Sequence, residues 1–230
     1  MEKNNLNKKL FPVFLAFLAL LFFAPRSSDA HQPYLVADKS RVKIENPEIS
    51  KAYYGWLSGS PAVYVIDSAN PFRLYVNILV PKIAGSEKDF YVRVSRKGIP
   101  FLLLDGQNSD WQEFYEPYGG DYYFKGPEYA ENLPEGLYAI EVFNSQNRGK
   151  YALAVGEKEE FSLPEILQTI IVLPVLKKSF FEKSCAEIIF SRVGLIYGAI
   201  LLAVILAAAA IKGFAGRKKG AKKENSPLKA

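Results

Sequence analysis

Asn132-Leu133-Pro134-Glu135-Gly136-Leu137-Tyr138-Ala139-Ile140-Glu141-Val142, followed by Gly149-Lys150-Tyr151-Ala152-Leu153-Ala154-Val155, decides the fold. Tyr138, Ile140 and Val142 alternate with Ala139, Glu141 and Phe143. Tyr151, Leu153 and Val155 alternate with Ala152 and Ala154. A period of two puts successive side chains on opposite faces of a strand and predicts one buried face. Pro134-Glu135-Gly136 and Asn147-Arg148-Gly149 are the turns that bound these strands.

The same period runs upstream. Leu74, Val76 and Ile78 share one face, and Phe90, Val92 and Val94 another. Ala62 to Asp67 and Pro100 to Leu104 are further strands, the latter a continuous apolar run. Ser68-Ala69-Asn70-Pro71, Lys97-Gly98 and Asp105-Gly106 separate them. Short strands with such turns predict a mainly β fold, an antiparallel jelly-roll-like β-sandwich over residues 31–160. The two quoted strands resemble the last two strands of bacterial pre-peptidase C-terminal domains, and Pro71 to Leu79 and Asp89 to Asp105 resemble earlier strands of that family, the whole resemblance covering residues 60–156. That resemblance implies a β-sandwich carried by secreted proteins, with a binding or targeting role and no catalysis of its own.

Between those strands, Gln107 to Tyr129 reads as a long loop. It holds eight aromatics in 23 residues, against 14% in the whole chain. Long loops without structure of their own are commonly functional. Aromatic faces stack on sugar rings or fill a partner's pockets. The candidate contact residues are Trp111, Phe114, Tyr115, Tyr118, Tyr122 and Tyr123, with Tyr53, Tyr54 and Trp56 as helpers. The alternative is a minor core that closes one end of the sandwich.

The ends read as addresses. Lys3, Lys8 and Lys9, the apolar run from Phe11 to Ala24, and Ser28-Asp29-Ala30 predict a signal peptide over residues 1–30. Ser162-Leu163-Pro164-Glu165 matches a helix start. Residues 161–192 are expected to form a helical stalk, ended or kinked at Pro174. The nineteen residues from Val193 to Ile211 carry no charge, and as one helix they would be about 28 Å long. Seven Lys/Arg follow against Glu224 alone, a basic cytoplasmic tail over 212–230 by the positive-inside rule. The expectation is a single-pass cell-membrane protein with an extracytoplasmic N-terminal domain, self-associating through Gly194 and Gly198. The missing Asn-x-Ser/Thr sequon and disulfide point to a prokaryotic source.

Charge and composition exclude several functions. The net charge of +5 hides −4 over residues 31–160 and +7 beyond them, so no nucleic-acid partner is expected. The single Cys185 excludes an intrachain disulfide, leaving an intermolecular one or a buried thiol. The only histidine is His31, which excludes a site of two imidazoles. As a mature N-terminus it would offer a partial copper site, the one metal candidate; no cofactor is expected. No phosphate-binding glycine loop occurs. Asp105, Asp110, Glu113, Glu116, Asp121 and Glu128 are the carboxylates of the aromatic stretch. A glycosidase-like pair or a Ca²⁺ site are the alternatives to a solvated acidic loop. The expected function is a non-catalytic, membrane-anchored binding or accessory module for a protein or glycan. The alternative is a carbohydrate-active or metal-dependent enzyme.

Overall fold

The computed structural model describes residues 31–36, 41–160, 162–206 and 208. Its strands are β1 (Gln32–Leu35), β2 (Arg41–Lys43), β3 (Lys51–Ser58), β4 (Ala62–Ser68), β5 (Phe72–Pro81) and β6 (Tyr91–Arg96). They continue with β7 (Ile99–Asp105), β8 (Gln112–Glu116), β9 (Asp121–Leu133), β10 (Gly136–Phe143) and β11 (Arg148–Val155). One sheet runs β1-β3-β11-β5-β9-β8 and the other β2-β4-β10-β6-β7. The pairs β1–β3 and β2–β4 are parallel; the remaining pairs are antiparallel. The last hairpin therefore supplies an interior strand to each sheet.

The core lies where the alternation puts it. Leu74, Val76 and Ile78 of β5, Phe90 just before β6, Val92 and Val94 of β6, and Ile140 and Val142 of β10 are fully buried together. Burying each aliphatic side chain stabilises the fold by about 1.5–3 kcal/mol. Tyr64 and Tyr151 meet inside, hydroxyl to hydroxyl at 2.8 Å, so neither buried oxygen goes unpaired. Gly55 leaves room for that pair: a Cβ there would lie 2.5 Å from the Tyr151 hydroxyl.

The outer face of the first sheet is covered as well. Ala52, Tyr54, Leu79, Tyr123, Ala152 and Ala154 pack with Leu176, Phe180 and Phe181. The covering segment begins with α1 (Leu163–Val175), where Glu165 Oε2 accepts from Ser162 N at 2.6 Å. Pro174 does not end α1, because it stands one residue before the last. The chain then widens into a π-helical turn, Leu176–Phe180, and later a 3₁₀ helix, Cys185–Phe190. A π turn departs from the 3.6 period, and such turns recur at functional sites. The alanines of β11 are small because aromatic rings lie over them.

The aromatic stretch is not a loop. Residues 112–133 are β8, a tight turn and β9, which pairs with β5 along most of its length.

The single-pass membrane reading is corrected. No helix among the described residues is long and apolar enough to cross a membrane. An uncharged stretch spans only as one long continuous helix, and the described residues do not form one. This overturns the integral membrane partner and the cell-membrane placement with them. The signal peptide (1–30) and the basic tail (212–230) lie outside the described residues. Gly198 lies in the helical run that starts at residue 192, and a Cβ there would meet nothing within 4 Å. The run belongs to a compact unit separate from the sandwich.

Candidate functional site

The β8–β9 hairpin sorts the aromatics by face. Phe114 stands opposite Tyr123, Tyr115 opposite Tyr122, and Glu116 opposite Asp121. Alternation sends Phe114 and Tyr123 toward the covering helices and Tyr115 and Tyr122 to the other face. Tyr123 is buried, and its hydroxyl meets that of buried Tyr54 at 2.6 Å. Tyr53 belongs to the main core beside Tyr64. Trp111 is partly buried against that core and donates Nε1–H to Gly106 O at 2.7 Å. Gly126 makes room for its ring, since a Cβ would lie 2.7 Å from Trp111 Cη2. Tyr118 is half-buried in the turn. Trp56 is 37% exposed and meets Phe180 edge to face. The nine candidates thus divide among the main core, the helix-covered face and the solvent.

Two of them form an exposed platform. The rings of Tyr115 and Tyr122 lie 4.7 Å apart, tilted by 44°, and are 43% and 48% exposed. Lys82 Nζ stands 5.6 Å over the Tyr122 ring and pairs with Glu113 at 2.6 Å. Lys88 Nζ sits 3.4 Å over Phe124. Such a surface offers ring faces for stacking and a charged rim for orientation.

On the opposite face the hairpin end carries a buried ionic cluster. Tyr118 N donates to Glu116 Oε1 at 2.7 Å and Gly119 N to Oε2 at 2.6 Å. Asp121 Oδ2 lies 2.7 Å from Lys177 Nζ, and Oδ1 lies 3.0 Å from Lys183 Nζ. The Asp121 and Lys177 side chains are 2% and 0% exposed. Lys177 Nζ also donates to Gly120 O at 3.2 Å. Its position inside the π turn carries it inward with Leu176 and Phe180.

Burial of its carboxyl end pushes Glu116 up to about 7 from 4.5, with the Gly119 and Tyr118 N–H groups and Lys177 opposing and Asp121 adding to the rise. The folded chain therefore holds this proton more tightly than the unfolded chain. That stabilisation is complete below about pH 4.5 and is lost as pH rises through about 7, roughly 3 kcal/mol in all. Urea unfolding at pH 5 and pH 8 is expected to show the fall, and Glu116→Gln to shrink it. An equal fall in that variant would assign the effect elsewhere.

The other carboxylates have separate partners. Asp105 accepts from Asn108, which lowers its pKa. Glu128 is held low by Lys125 and also accepts from Tyr75 Oη. Asp110 is exposed. Glu113 and Glu116 are three residues apart on β8 and so face opposite ways. Among the described residues no group of three or more His, Cys, Asp or Glu side chains could hold a metal ion. His31 Nδ1 meets Ser50 Oγ and lines a cleft of about 370 Å³ with Tyr75, Lys125, Glu128 and Glu157. Cys185 is an exposed free thiol.

Lys177 and Lys183 escape a reading of the sequence. In a straight helix Lys177 would stand three and four residues before Phe180 and Phe181, on their side, but a lysine there reads as a solvated edge of the apolar face. The only local signal is Pro174, which precedes the change of pitch.

No family model matches the chain, and no curated protein does. Among solved structures the chain is similar to the pre-peptidase C-terminal domain of collagenase from Bacillus anthracis. The identity is 11% and the TM-score 0.30, over 56% of this chain and 98% of that one. It is also similar to a β-glucosidase from Paenibacillus barengoltzii, at 9% identity and a TM-score of 0.24, over 57% of this chain and 14% of that one.

Proposed function

We propose that the chain is a non-catalytic binding or accessory module that presents the β8–β9 hairpin to a protein or glycan partner. The observation that carries this reading is the exposed Tyr115–Tyr122 pair on a strand-held surface. Rings fixed in a hairpin lose little freedom on binding, which favours contact residues that are already ordered. Tyr53, Tyr54 and Tyr123 lie inside and serve as support. The ion-pair partners that Glu113 and Glu128 already have favour binding over turnover of a ligand.

Tyr115→Ala and Tyr122→Ala are each expected to weaken binding at least 10-fold, about 1.4 kcal/mol or more, as central aromatic contacts do. Melting should stay within a degree or two, because both rings are already half in water. A glycan array and a pull-down with the whole chain, wild type beside variants, provide the measurement. Retention of every bound partner by both variants overturns the reading, as does turnover of a bound glycan.

A further inference from the structure

We propose that Lys177 and Asp121 are joined by an intramolecular isopeptide bond, which staples the C-terminal helical segment to the β9 end of the sandwich. Four observations carry it. An amine and a carboxyl group stand 2.7 Å apart with both side chains out of water. That contact lacks the direction of a hydrogen bond, so Asp121 Oδ2 is a buried oxygen with no hydrogen-bond donor. Lys183 donates to the other oxygen, Oδ1, at 3.0 Å and would hold and polarise it as the carbonyl. A second carboxyl group is at hand: Glu116 Oε2 and Asp121 Oδ2 lie 3.0 and 3.7 Å from the point where a Gly119 Cβ would sit.

The step balances within the chain. The Lys177 ammonium gives up a proton, and its free amine attacks Asp121 Cγ. A C–N bond forms, the Cγ–Oδ2 bond breaks, and Oδ2 leaves as water with two protons that began on Nζ. Glu116 carries protons between the two groups. Its pKa of about 7 suits a group that takes and returns a proton near neutrality. The surroundings favour the product. Tyr54, Tyr123, Leu176, Phe180 and Phe181 pack on this side of the sheet, where two charges are costly and a neutral amide is not. The same packing keeps out the water that would reverse the step.

The test is the mass of the denatured full chain. Wild type is expected to be lighter than its sequence by one water. Trypsin should release residues 98–125 joined to residues 159–178, because linked Lys177 is no longer a cleavage site. Lys177→Arg should show its full mass. Asp121→Asn should still link, losing one ammonia instead of one water. In Glu116→Gln the linkage should form slowly or not at all while the circular dichroism stays that of the folded chain; linkage at the wild-type rate overturns its role. Wild-type chain at full mass, with the two peptides separate, overturns the bond.

Discussion

Asp121→Ala is expected to lower the unfolding free energy by about 3–5 kcal/mol, because it removes the carboxylate in direct contact with the buried Lys177 ammonium. Lys177 is fully enclosed, and its remaining acceptor is Gly120 O at 3.2 Å. A carbonyl dipole does not replace a carboxylate. Lys183 keeps 28% of its side chain in solvent and can rehydrate, so the cost falls on Lys177. Where the linkage has formed, the substitution also removes a covalent tie, and the figure is a lower bound. Urea unfolding of the whole chain measures it. A loss below about 1 kcal/mol would mean that the pair is not buried as described.

Phe180→Ala is expected to cost about 3–5 kcal/mol, but locally. Its ring is fully buried and meets Tyr54 at 5.0 Å, Trp56 at 5.6 Å and Phe181 at 5.1 Å, each near perpendicular. The cavity would open between the helical segment and the sheet, away from the core between the two sheets. Hydrogen exchange should quicken over residues 163–190 while β5, β6 and β10 keep their protection. Unchanged exchange in the helical segment would show that other contacts hold it.

How far the fold was legible follows from which faces meet water. Strands with one wet face show a period of two, so Leu74-Val76-Ile78 and Tyr138-Ile140-Val142 could be read directly, and all six are buried. Strand β9 has no such pattern at its start, where Asp121, a charged residue, is more buried than Tyr122. An aromatic-rich segment with an acidic residue facing inward imitates a loop. The ionic cluster was hidden for a related reason: Asp121 and Lys177 are 56 positions apart, and no local pattern joins them. The parallel pairings of β1 and β2 leave no local trace either, since neither strand is joined to its partner by a hairpin. Residues 193–211 misled in the opposite sense. Their lack of charge was legible, but no helix among the described residues is long and apolar enough to cross a membrane.

Strands β10 and β11 lie inside both sheets, β10 between β4 and β6 and β11 between β3 and β5. During synthesis, then, the layer of β4, β10 and β6 cannot close until Phe143 has left the ribosome, nor the layer of β3, β11 and β5 until Val155 has. A nascent chain halted before Gly136 would hold two half-sheets, each with an unpaired flank in place of its central strand. Translation arrest or a premature stop in that interval should yield aggregates or chaperone clients and not a smaller working domain.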